Sequence, residues 1–109
     1  MLEIEEQKRG QLTKRIKSKS LELMGYELER DDLRLMPYLQ YVLLNKRKID
    51  NASINENEKK ILAKWLEMGY ILDGVTSSGR PMINTNVIIT KEFWDIMNEI
   101  IWLGYCDVD

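Results

Sequence analysis

The sequence predicts a mostly helical α+β domain with three to four helices and one β-hairpin. Three observations carry that expectation. Apolar residues recur at helical spacing in several runs. Three of those runs end in Gly-Tyr, at Gly25-Tyr26, Gly69-Tyr70 and Gly104-Tyr105. The β-branched run Val87-Ile88-Ile89 lies across a turn-rich stretch from Tyr70-Ile71-Leu72, which is the pattern of two paired strands. With 109 residues the chain forms one domain, 1–109, long enough to bury a core without disulfide staples.

The first helix is expected over about residues 11–24, with Leu12, Ile16 and Leu23 toward one face; reaching back to Ile4 would place Gly10 inside it, at a cost of about 1 kcal/mol. A second helical region starts near Asp31-Asp32, whose carboxylates suit a helix N-terminus. Pro37 then either opens the main helix or interrupts a longer one. The run Tyr38 to Leu44 is almost wholly apolar and marks the centre of the core, and Lys46-Arg47-Lys48 closes the helix.

Ser53-Ile54-Asn55-Glu56 matches a capping box, in which serine and glutamate satisfy each other's free amides. The helix it opens carries the stripe Ile61, Leu62, Trp65, Leu66 and ends at Gly69. The hairpin follows, with Tyr70-Ile71-Leu72 and Met82 to Ile89 flanking the tip Thr76–Pro81. Pro81 must sit at the turn or on an edge. Thr90 caps a last helix with Phe93, Ile96, Met97, Ile100 and Ile101 inward. Trp94 and Trp102 lie on a neighbouring face. A helix this apolar is either central or partly covered by another subunit. The unequal Gly-Tyr spacings, 44 and then 35 residues, mark three similar helix ends rather than a repeat.

Charge is uneven. Residues 1–50 carry 11 Lys/Arg against 9 Asp/Glu, and residues 51–109 carry 5 against 9. Six of the 11 cations in the first half form the acid-free cluster Lys8, Arg9, Lys14, Arg15, Lys17 and Lys19. The overall balance of −2 argues against non-specific coating of nucleic acid. The acidic N-terminus lacks the features of a secretory signal and no apolar run approaches a membrane span, so a cytoplasmic location is expected, with no membrane partner.

Most chemistry is excluded on residue types. The chain has no histidine and one cysteine, Cys106, which has no base to activate it and lies beside Asp107. No Cys/His spacing fits a metal, and no glycine-rich loop cradles a phosphate. The acid clusters Glu27, Glu29, Asp31, Asp32 and Asp107, Asp109 are the residues left for a carboxylate-only catalytic or Mg2+ site, but they lie at helix boundaries, where acids are common for capping and solubility. No enzymatic activity and no cofactor are expected.

The stretch from Glu58 through Lys64-Trp65-Leu66-Glu67-Met68-Gly69-Tyr70-Ile71, with Val87-Ile88-Ile89-Thr90-Lys91-Glu92-Phe93-Trp94, resembles the recognition helix, wing and following helix of bacterial winged helix-turn-helix domains. The resemblance covers 53–107. It departs from the family at the third helix, where Glu56, Glu58 and Glu67 offset the cations. The tail Ile-Thr-Lys-Glu-Phe-Trp-Asp-Ile-Met-Asn-Glu is also similar to small uncharacterised phage and prophage proteins. The resemblance implies duplex DNA as partner, with Asn57, Lys60 and Lys64 in a major groove. Arg80 would touch a minor groove or phosphate, and the cluster containing Lys14, Arg15 and Lys17 would add general attraction. The other class open to the residues is a protein-interaction module, a homo-oligomer contacting through Trp94, Ile101 and Trp102.

Overall fold

The computed structural model describes residues 12–103. In chain order these form α1 (Lys14–Met24), α2 (Arg30–Leu44), a single 3-10 turn (Asn51–Ser53), α3 (Glu56–Glu67), β1 (Ile71–Asp73), β2 (Ile88–Ile89) and α4 (Lys91–Ile101). The expected α+β class is therefore observed: four helices with one antiparallel two-stranded sheet between the last two. The expectations at Ile4, Lys8, Arg9, Gly10, Gly104, Cys106, Asp107 and Asp109 lie outside the described residues. Among the described residues no helix is long and apolar enough to cross a membrane.

Each helix starts where a side chain replaces a missing backbone partner. Thr13 caps α1 by accepting from the Ile16 amide, and Thr90 caps α4 by accepting from the Phe93 amide. The box that opens α3 lies two residues beyond the expected one. Asn55 accepts from the Glu58 amide at 2.7 Å, and Glu58 Oε1 accepts from the Asn55 amide at 2.9 Å. Ser53 is instead drawn into the 3-10 turn, where its hydroxyl donates to Asp50. Ile54 then turns into the core, which delays the helix until Asn55.

Pro37 lies inside α2, so the helix runs through it and the carbonyl of Leu33 loses its ordinary donor. That helix stops at Leu44, and Lys46 turns to φ +52°, so Lys46, Arg47 and Lys48 follow the helix instead of closing its last turn.

α3 ends as expected at Gly69, with φ +82°. The Tyr70 amide donates to Trp65 O at 3.0 Å and the Gly69 amide to Leu66 O at 3.1 Å. This turn delivers Tyr70 to the core, where its ring stacks on Phe93 at 4.7 Å while Trp65 meets Phe93 edge-on at 5.0 Å. The three rings join α3, the sheet and α4 at one point.

The segment 70–90 is a paired arm, but its strands are shorter than the sequence predicts. Ile71 pairs with Ile89 and Asp73 with Ile88, with an irregularity between the two pairs. Beyond them only Val75 and Pro81 form a bridge. Residues 82–87 are not strand. Gly74 accounts for part of this: a Cβ there would stand 2.5 Å from Val87 Cα, so the two sides approach backbone to backbone rather than through side chains.

α4 packs against both α1 and α2, α2 also packs on α3, and β1 lies against α3. The position of α4 between two helices explains most of its apolar circumference: Phe93, Ile96, Met97 and Ile100 are buried, and Trp94 and Ile101 are half-buried against the same core.

Candidate binding faces

Two groups of candidate residues emerge, one on α3 with the arm and one where α1 meets the end of α4. The α3 group is only partly free. Asn57, at the first turn of α3, donates through Nδ2 to Asp31 of α2 at 2.8 Å. The neighbouring Glu58, almost fully buried, is paired with Arg34 of α2 at 3.2 Å, and Arg34 also approaches Asp31 at 3.7 Å. This set of four joins the start of α3 to α2.

Lys64 is also engaged. Its ammonium lies 3.3 Å from the centroid of the Tyr26 ring. The Tyr26 hydroxyl accepts from Trp65 Nε1 at 2.7 Å and reaches Asp32 Oδ1 at 3.4 Å. Asp32 Oδ2 in turn accepts from the Glu29 amide at 2.9 Å. Burial raises the Asp32 carboxyl above its ordinary value of 3.8, and burial likewise raises the Tyr26 phenol. Of the acids expected at the start of α2, Glu29 and Asp32 form a capping box and Asp32 also meets Tyr26, whereas Asp31 is the partner of Asn57 and Arg34.

Lys60 and Arg80 are exposed. Lys60 and Lys64, one turn apart on α3, face Ser77 and Ser78 of the arm's turn across a groove of about 640 Å³ floored by Ala63 and Leu66 and bordered by Glu67. The turn is seated firmly: Gly79 lies so close to α3 that a Cβ would stand 1.6 Å from the Lys59 carbonyl oxygen. Thr76 O accepts from the Gly79 amide at 2.9 Å, and Thr76 Oγ1 from the Arg80 amide at 3.2 Å. Glu56 stands in the first turn of the same helix. Its hydrogen bond to Lys59, at 3.0 Å, holds its carboxyl below the usual range, and the charge of Arg80 adds to this.

The α1 cations belong to the other group. Lys14 and Arg15 are exposed and Lys17 is half-buried. Lys14 and Arg15 border a depression with Ser18, Lys19, Glu22 and Leu103. A second depression shares Lys19 and Leu103 and adds Asn98, Glu99 and Trp102. Lys19 is ion-paired to Glu22 at 3.0 Å, which raises its pKa, and Glu99 contributes. The three α4 candidates divide: Trp94 and Ile101 are half-buried, while Trp102 is 59% exposed.

Reading the sequence missed Leu21, 53% exposed on α1. Its signal was available, since it falls off the stripe of Ile16, Ser20 and Met24 that α1 buries. Among the described residues no group of three or more metal-ligating side chains is placed to hold a metal ion.

No protein-family model, no curated protein and no solved structure matches this chain.

Proposed function

We propose that this chain is a self-associating interaction module, making contact through the end where α1 meets the last turn of α4. The observation that carries the reading is Trp102. A tryptophan buries more apolar surface than any other residue when covered, yet this one stands 59% exposed beside half-buried Leu103, in a depression shared with Lys19 and Glu99. Such an anchor with a polar rim is the pattern of a contact hot spot. Light scattering tests it. The wild type is expected to exceed the mass of one chain, 12.9 kDa, and Trp102→Glu to return to that value. Equal masses for the two proteins sink the reading.

A second reading, duplex DNA binding, is favoured by the groove between α3 and the arm, where Lys60, Lys64, Ser77 and Ser78, residue types that contact phosphates, line one surface. It is the weaker of the two, because Asn57 and Lys64 already serve contacts within the chain and Glu67 borders the groove. Under it, retention of duplex DNA falls steeply with salt and is lost in Lys60→Glu with Arg80→Glu. Retention that ignores salt, or its absence, removes this reading.

A further inference from the structure

We infer that two copies of this chain pair through their α1 helices, antiparallel, with the two-fold axis at Ser18. The inference rests on the self-association reading and specifies its geometry. Lys14, Ser18 and Glu22 are spaced by four residues, so they lie in one row on α1; all three are exposed and all border the depression beside Leu103. Lys14 stands four residues before Ser18 and Glu22 four residues after it. Arg15 and Leu21 stand three residues before and after.

An antiparallel copy aligned at Ser18 therefore sets each Lys14 against Glu22 of the second copy, whose carboxylate also holds Lys19 of its own chain, twice over by symmetry. It also lays the aliphatic stem of each Arg15 along the exposed Leu21 of the other chain. A parallel arrangement sets Lys14 against Lys14 and Glu22 against Glu22. The small side chain of Ser18 lets the helices approach at the centre.

A separate feature of α1 points the same way. Its first turn holds cations and no acid, the unfavourable sign for the positive end of a helix. The antiparallel copy brings Glu22 to that end. Trp102 and Leu103 then border the helix pair and supply apolar area.

Sedimentation equilibrium tests the arrangement by charge exchange. The wild type is expected near twice the mass of one chain. Lys14→Glu alone, and Glu22→Lys alone, each place like charges opposite one another and weaken the dimer by about tenfold or more. The double variant Lys14→Glu/Glu22→Lys restores the pairing and recovers most of the affinity. Lys14→Glu puts an acid at a helix N-terminus, which favours the helix, so its loss of mass is not unfolding. Single variants that dimerise like the wild type, or a double variant as weak as the singles, overturn the antiparallel pairing. If those results come with a Trp102→Glu chain that is monomeric, the contact end stands and only its geometry is wrong. A monomeric wild type overturns both.

Discussion

The indole nitrogen of Trp65 donates to the hydroxyl of Tyr26 at 2.7 Å, joining the last turn of α3 to the turn between α1 and α2. Trp65 is fully buried, so no solvent can replace this acceptor. Tyr26→Phe leaves the indole N–H unpaired and is expected to cost about 1–3 kcal/mol in urea unfolding. Lys64 retains a ring beneath its ammonium in that variant. A loss no larger than that of an exposed tyrosine contradicts the assignment.

Two glycines with similar backbone angles are expected to differ sharply. Gly69 and Gly79 have φ of +82° and +84°, but a Cβ at Gly69 meets nothing within 4 Å, whereas at Gly79 it meets the Lys59 carbonyl. Gly69→Ala therefore costs only the left-handed conformation, about 1 kcal/mol. Gly79→Ala costs more and detaches the turn 76–79 from α3. Thermal melts order the two; equal shifts refute the close seating of the turn.

Asp32 gives the stability an unusual pH component. Its folded pKa is raised above 3.8, chiefly by burial, with the Glu29 amide, Lys64 and Tyr26 opposing and Glu29's charge assisting. A carboxyl raised in the fold binds its proton more tightly there than in the unfolded chain. Its contribution is thus fully present at acid pH and is lost as pH rises through the folded value. Asp32→Asn removes that component. Relative to the wild type, the variant is expected to gain stability as pH rises from about 3.8 toward neutrality. Urea unfolding of both proteins across that range measures it. A difference that does not change with pH contradicts the burial of the charge.

Local signals made much of the fold legible. Thr90 and Gly69 act within one turn of the chain, so their residue types suffice to place helix ends, whereas Thr13, which caps α1, falls inside the helix expected from about residue 11. Ser53 misled for the converse reason: Asp50, on the preceding turn, competes for it, and the burial of Ile54 decides the outcome from across the core. The short strands follow in part from the close approach of Gly74 to Val87, a contact between the two sides of the arm that no local pattern announces. At the candidate faces, exposure was legible and engagement was not. The row Asn57, Lys60, Lys64 is on the surface as its spacing requires, yet partners for its two ends come from Asp31 and Tyr26, which no helical periodicity connects to α3. Trp102 stood out because a helix enclosed by α1 and α2 has no internal use for an aromatic on its outer side.

Solution mass followed through dilution tests the central claim most directly. A chain that associates through Trp102 shows a mass that falls toward 12.9 kDa as the protein is diluted, while Trp102→Glu stays at the one-chain value throughout. A wild-type mass of one chain at every concentration, or a Trp102→Glu protein that associates as the wild type does, contradicts the account.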